Sequence, residues 1–383
     1  MRKVLFVASV ARHINAFHTP YLKWFKSQGF IVDAATSADE NIQLSDHHYN
    51  ISIERNPISK NNITAYRQLS KIISEGEYDI IHCHTPVAAM LTRLAARKIR
   101  KRGTKVFYTA HGFHFFKGAN IINWLVYFPV EWISSFFTDV LITINKEDYY
   151  FAKKYMHAKK VEYVQGVGID TDKIKNVSVD RKQKRDELGI LPCETAVLSV
   201  GELNDNKNHE TVIRAIGKLK DKNITYIICG VGEKDSYLKS LAEEYGVKLI
   251  LMGFRNDVVE ICKSCDIFVF PSKREGLPVS VMEAMAAGLP IVCSDVRGNV
   301  DLVKDGENGF LCKATDADEF AEKIRKLVDD KSLLLEMGIK GKETIRGFSL
   351  EKVIEKMYTI YGLTENNDAH KGDKNESTPF IAK

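Results

Sequence analysis

Short runs dense in Val, Ile, Leu and Phe alternate along this chain with longer segments whose apolar residues recur every three to four positions. The first half reads "KVLFVAS", a helical-period segment over 17–28, "FIVDAAT", then "YDIIHCH", a helical segment over 88–102, and "KVFYTAH". Strand, helix and strand repeated in this way predict parallel βαβ units with helices on both faces of a sheet. The pattern restarts with "TAVLSVGEL", followed by a helix over 209–219, "TYIICGVG", a helix around 236–245, "VKLILMG", a helix around 257–265, "IFVFPS", a small-residue helix and "PIVCSD". Two α/β domains follow from this, each a doubly wound sheet.

The boundaries read as 1–170 for the first domain, 171–194 for a polar linker with a surface helix, and 195–348 for the second domain. A last helix over 349–362 returns to the first domain, and 363–383, polar and poor in apolar residues, is expected to be a disordered tail. The longest apolar stretch, 121–144, raises the question of a membrane span. Pro129, Glu131 and Asp139 interrupt it, so it parses instead as a helix, a short break and the strand "DVLITI". The N-terminal run after the basic start is too short for a secretory core and reads as a first strand.

Composition narrows the class. With 383 residues, 44% apolar and 27% charged, the chain can bury two cores; 55 Lys and Arg against 50 Asp and Glu make it mildly basic at +5. That excess suits anionic ligands or an anionic membrane surface and gives no support for nucleic acid. Seven scattered cysteines fit a reducing compartment, here the cytoplasm, with docking on the inner face of the plasma membrane as the membrane-facing option. Cys262 and Cys265 stand without a second pair, which favours helix packing over metal or redox work.

In open parallel sheets the ligand sits beyond the carboxyl ends of the strands. After "IFVFPS" come Glu275, Gly276, Leu277 and Pro278, then Glu283 within the next helix. Pro278 suits the first helical position, so the amides of Gly276 and Leu277 and the helix dipole predict a site for an anion such as a diphosphate. Carboxylates hold vicinal hydroxyls of ribose and hexose rings, a role open to Glu275 and Glu283; a dipole-favoured surface acid is the plainer reading. After "TAVLSV" stand Gly201, Glu202 and Lys207, the lysine able to neutralise a departing phosphate. Gly230 lies in a tight turn after the next strand, and Phe254 and Arg255 follow the one after. In the first domain His111 and His114 follow "KVFYTA", while His82 and His84 share a strand face, where packing or hydrogen bonding is favoured over metal binding.

Together "REGLPVSVMEAMAAGLPIV", Lys207 in its Gly-led loop, and "TAHGFH" resemble the retaining GT-B glycosyltransferases of family 4, over nearly the whole chain up to about residue 362. "GELNDNKNHE", "YTAHGFHFF" and "TDVLITINKED" are most similar to bacterial exopolysaccharide and capsule enzymes acting on polyprenyl-linked acceptors. The resemblance implies two Rossmann-like domains facing a central cleft, a nucleotide-sugar co-substrate rather than a cofactor, and a lipid-linked saccharide acceptor. Residue by residue, it implies that Glu275 meets the donor hexose, Glu283 the ribose, Gly276, Leu277 and Lys207 the diphosphate, the backbone near Phe254 the base, and His111 the transferred sugar. The Gly-rich position after the first strand is replaced by "ASVARHINAFH", which puts Arg12 on the donor side and His13, with His114, on the acceptor side. Where many members carry an arginine ahead of the lysine this chain has Glu202, leaving neutralisation to Lys207, the helix start, Arg12 or Arg255.

The family implies retention of configuration, most often by front-face substitution, without an obligatory metal; no convincing Asp-x-Asp motif is present. Two rival readings are a non-catalytic nucleotide-sugar scaffold or sensor, which Glu202 suggests, and a GT-B-fold sugar-nucleotide epimerase. A Rossmann dehydrogenase is disfavoured, because no Gly-x-Gly-x-x-Gly follows the first strand. For membrane docking the sequence offers the basic 93–105 and the aromatic "INWLVYF".

Overall fold

In the computed structural model, which describes residues 1–37 and 40–362, all pairings between named strands are parallel. The first sheet comprises β1 (Lys3–Val10), β2 (Ile31–Ser37), β3 (His47–Asn50), β4 (Ile80–His84), β5 (Lys105–Ala110), β6 (Val140–Thr143) and β7 (Lys160–Tyr163). The second comprises β8 (Thr195–Val200), β9 (Ile224–Cys229), β10 (Lys248–Leu251), β11 (Ile267–Phe270), β12 (Ile291–Ser294) and β13 (Gly309–Cys312). Their orders are β3-β2-β1-β4-β5-β6-β7 and β10-β9-β8-β11-β12-β13. Each order reverses once, between β1 and β4 and between β8 and β11, which opens a crevice at those carboxyl ends.

The alternation of side chains explains why both faces of each sheet need helices. Leu5 and Val7 of β1 join the cluster containing Leu69, Ile81 and Tyr108, whereas Val4 and Phe6 join Trp24, Phe25 and Tyr361 on the other face. All residues of β4 and of β9 are buried, as expected for strands sandwiched between helical layers. Fully burying each large apolar side chain contributes about 1.5–3 kcal/mol.

Two short helices, Thr171–Asn176 and Arg181–Glu187, lead from the first sheet to the second. They pack on the second unit, where Ile174, Leu188 and Ile190 enter its core and the buried Arg185 donates to the carbonyls of Ser264 and Leu191. The final helix, Leu350–Tyr361, lies on the first sheet: Val353, Met357 and Tyr361 are buried there, the Tyr361 hydroxyl is 2.7 Å from His82 Nδ1, and Tyr358 stacks on Trp24 at 3.9 Å. The expected tail over 363–383 lies outside the described residues.

The long apolar stretch forms the helix Ile121–Ser135, which runs through Pro129, and then β6. Glu131 points inward: it accepts from Arg93 Nη2 at 2.8 Å and from the Tyr108 hydroxyl at 2.9 Å, while the Arg93 guanidinium lies over the Tyr108 ring at 4.1 Å. Ile121, Ile122, Leu125, Val126, Trp132, Ile133 and Phe136 are exposed on the opposite side. Among the described residues no helix is long and apolar enough to cross a membrane.

Candidate active site

The two carboxyl-end crevices face each other, and the loops that follow β5, β8, β11 and β12 enclose a space of about 240 Å³. Its walls are His111, Gly112, Phe113 and His114 from the first domain and Asn206, Arg274, Glu275, Gly276 and Arg297 from the second. A larger hollow of about 820 Å³, lined by Arg181, Thr195, Asn223 and Asp266 among others, opens at the amino ends of β8, β9 and β11. That is the wrong end of the sheet for a Rossmann-like ligand site.

Glycines let the domains touch at the cleft floor. A Cβ on Gly276 would collide with the His111 carbonyl oxygen, and Gly298, at φ 82°, sits against the Gly276 carbonyl. Gly112, at φ 133°, faces Gly276 Cα and Arg297. Arg297 crosses this junction almost fully buried. Its Nη1 donates to Asp148 Oδ1 at 2.7 Å, its Nη2 to the Phe113 carbonyl at 3.0 Å and its Nε to the Glu275 carbonyl at 3.0 Å. The sequence reading missed Arg297; a lone arginine in "DVRGN" after β12 was the available signal.

Lys207 and Glu275, read from separate strand ends, meet. Lys207 Nζ donates to Glu275 Oε1 at 2.7 Å and lies over the Phe270 ring at 4.6 Å. Gly201 has a clear role here, since a Cβ would stand 3.1–3.2 Å from the Lys207 stem. Pro278 occupies the position before the helix Val279–Ala287 rather than its first turn, because its ψ of 118° is extended. Among the described residues the amides of Gly276 and Leu277 have no protein acceptor, which leaves them for an anion. Glu283, largely buried and without a hydrogen-bonding partner among the described residues, has its carboxyl pushed up by burial.

The other predicted residues scatter more. Glu202 is exposed and accepts from Asn204 Nδ2 at 2.8 Å, directed along its own loop. Gly230 packs so closely under the Gly201 carbonyl that any side chain would collide with it, and its amide donates to Gly253 at 2.8 Å. Phe254 is 64% exposed at the edge of the second sheet. Arg255 is committed elsewhere: it donates to both Asp257 oxygens at 2.7 and 2.6 Å and to Glu187 at 3.0 Å. Those acids neutralise it, and it is not among the residues lining the inter-domain space.

Arg12 and His13 line a separate hollow of about 530 Å³ in the first domain, together with Arg55, Pro86, Val87, His114 and Tyr127. Arg12 thus stands with His13 rather than among the residues enclosing the inter-domain space. His114 borders both spaces, stacked on Tyr127 at 4.6 Å. Burial pushes the His114 imidazole down to about 4, helped by Arg274 and Arg297. His111 is likewise held well below the usual imidazole range by burial and by its neighbours His13 and His82. Both rings are neutral at pH 7 and can hydrogen-bond a sugar hydroxyl without adding charge. Positive charge beside this space comes from Arg274 in its wall and from Lys207 on Glu275.

Two Rossmann-like domains facing across a cleft are the architecture of the GT-B class, and the comparisons agree. Residues 3–145 match the glycosyl transferase 4-like family and residues 180–344 the glycosyl transferases group 1 family. The chain is 41% identical over 374 residues to EpsD of Bacillus subtilis (strain 168), a protein assigned by name to the glycosyltransferases, with 96% of this chain and 98% of that one covered. It is 31% identical over 303 residues to the Escherichia coli UDP-Gal:alpha-D-GlcNAc-diphosphoundecaprenol alpha-1,3-galactosyltransferase, covering 76% and 77%. The crystal structure of Anabaena Alr3699/HepE in complex with UDP and glucose superposes with a TM-score of 0.77 at 19% identity, over 94% of this chain and 100% of that one. The chain belongs to the GT4-like glycosyltransferases.

Proposed function

We propose that this glycosyltransferase moves a hexose or N-acetylhexosamine from a UDP-sugar to a polyprenyl-diphosphate-linked saccharide, with retention of configuration, in the synthesis of a cell-surface polysaccharide. The observation that carries this reading is the Lys207–Glu275 pair beside the space that Glu275 shares with His111. A donor diphosphate against the Gly276 and Leu277 amides places its charge at the helix start, within reach of Lys207. Glu275, fixed by Lys207 and by the Arg297 bond to its carbonyl, positions the hexose hydroxyls. Bond breaking then puts negative charge on the diphosphate where the lysine and the amides already point, a preorganised electrostatic stabilisation. The E. coli relative acts, by name, on a diphosphoundecaprenol-linked sugar, and the hollow with Arg12 and Arg55 offers two cations beside apolar walls for an acceptor of that kind.

The exposed face of Ile121–Ser135 gives such an acceptor a place to be met. Its apolar residues recur at helical spacing, and Arg100 Nη1 donates to the Phe136 carbonyl at 2.8 Å, which brings the basic 93–105 to the end of that helix from Arg97 onward, Arg93 being buried against Glu131. An apolar stripe flanked by cations suits an anionic lipid surface.

The deciding experiment supplies purified protein with a panel of UDP-sugars and polyprenyl-diphosphate-linked GlcNAc, follows acceptor-dependent UDP release, and reads the new anomeric centre by NMR. Turnover with retention is expected. UDP release that ignores the acceptor, epimerised donor without transfer, or an inverted product would overturn the assignment.

A further inference from the structure

Four histidines converge where β1, β4 and β5 end side by side. His13 follows β1 in the helix Ala11–Phe17, His18 sits where that helix passes to the next, His84 closes β4, and His111 follows β5. One ring nitrogen from each lies within 4.8 Å of the other three. His13 Nε2 is 3.2 Å from His111 Nε2 and 3.3 Å from His18 Nε2, and His111 Nε2 is 3.4 Å from His84 Nδ1. A tetrahedral Zn²⁺ with Zn–N bonds of about 2.0–2.1 Å has edges of about 3.3 Å between its ligand nitrogens. Three of the six edges already have that length and the other three lie within 4.8 Å; the His18 and His84 rings, stacked with centroids 3.8 Å apart, must splay for both lone pairs to meet one ion.

His82 shows what a purely structural histidine looks like in the same sheet. Both its nitrogens are taken, by the Tyr361 hydroxyl at 2.7 Å and by Thr109 Oγ1 at 2.8 Å. The four convergent rings instead turn nitrogens toward one another. Neutral imidazoles facing at this range can share only N–H···N bonds, whereas a cation at the centre satisfies every inward lone pair once each ring carries its proton on the outer nitrogen. Burial lowers all four rings, helped by Arg55 at His13 and by neighbouring histidines at the other three, and the unprotonated imidazole is the ligating form.

We propose that His13, His18, His84 and His111 form a binding site for one Zn²⁺-class transition-metal cation at the base of the cleft. An all-imidazole donor set suits zinc, cobalt, nickel or copper rather than magnesium or calcium. His13 lines the 530 Å³ hollow, which provides an entry path. Among the described residues the outer nitrogens of His18 and His84 have no hydrogen-bonding partner. Missing outer partners cost roughly 10–100-fold in metal affinity, so this is an exchangeable ion rather than a permanent structural one. The consequence for catalysis rests on the reading that His111 meets the transferred sugar: a metal holding His111 Nε2 removes it from that contact, so the ion acts as an inhibitor.

The test titrates the metal-stripped full chain with Co²⁺ and Zn²⁺ alone, without donor or acceptor. One ion per chain with tetrahedral Co²⁺ ligand-field bands is expected, and His18→Gln and His84→Gln should each weaken binding at least about tenfold while circular dichroism stays native. The wild-type spectrum is decisive even if a variant fails to fold. No stoichiometric uptake, octahedral Co²⁺ bands, or unchanged affinity in both folded variants would overturn the site. Zn²⁺ should then slow transfer competitively with the donor, reversibly by chelation. Metal binding with undiminished turnover would leave the site standing and overturn the placement of His111 at the sugar.

Discussion

Replacing Arg297 by Met keeps most of its volume and deletes a buried cation that ties the two domains together. The guanidinium and the Asp148 carboxylate have side-chain exposures of 3% and 2%, so neither charge has water to fall back on. Breaking one partner of such a pair costs about 3–5 kcal/mol, chiefly because the other charge is stranded. Asp148 keeps bonds from Asn145 Nδ2 at 2.9 Å and from the Phe113 amide at 3.0 Å, which puts the loss near the lower end. At about 2–4 °C per kcal/mol for a domain of this size, the melting transition should fall by about 6–12 °C.

The pH dependence has a definite sign. Burial raises the Asp148 carboxyl above its ordinary value even though Arg297 and its other hydrogen-bond donors pull it down. The folded state therefore holds a proton on Asp148 at pH values where the unfolded chain has lost it, and stability falls as pH rises through that window. Without Arg297 the window reaches higher, so the defect should be larger at pH 8 than at pH 5. Calorimetry and urea unfolding at both pH values, with Arg297→Met/Asp148→Asn alongside, measure this. The double variant should recover at least about 1 kcal/mol, since a neutral pair strands nothing. A single variant within about 1 kcal/mol of wild type, or a double variant no better than the single, would refute the reasoning.

Three further outcomes follow from the same geometry. Lys207→Met should lower kcat by about 10²–10³, the size of losing one preorganised charge-stabilising donor, with little change in donor affinity measured by calorimetry; near-normal turnover would remove Lys207 from the leaving-group role. Glu283→Gln should raise the melting temperature of the ligand-free protein above pH 5 and weaken UDP-sugar binding: the folded carboxyl is raised by burial, so its ionised form destabilises the fold above the unfolded pKa and ceases to do so on acidification. A lower melting temperature would show that the carboxylate has a stabilising partner. Leu125→Glu, at a position 70% exposed, should reduce co-sedimentation with anionic vesicles by about tenfold or more without altering UDP binding, and an unchanged bound fraction at low salt would exclude this face from docking.

Much of the fold was legible because period-two and period-3.6 patterns report directly on which side of an element is buried. The helix His209–Leu219 was readable to the residue, the last helix, Leu350–Tyr361, to within one residue at each end, and β4 to within two residues. Pro278 was displaced by one position, a matter of ψ that spacing does not carry. Arg255 looked available at its strand end, but Asp257, two residues on, and Glu187, from the linker helix, neutralise it. His18 and Arg297 drew no notice, because an isolated histidine or arginine becomes a site residue only through what the fold brings against it.

By itself the sequence determined the two doubly wound units, the strand ends that carry polar chemistry, and the membership of Lys207, Glu275, Glu283 and His111 among them. Those properties are local, set by hydrophobic period, glycine position and charge within a few residues of a strand end. Only the tertiary structure decided the partnerships: Lys207 with Glu275 across 68 positions, Arg297 with Asp148 across 149, and four histidines from three strand ends on one point. Contacts at that separation depend on strand order and on how closely two glycine-floored domains approach, and no spacing along the chain encodes either.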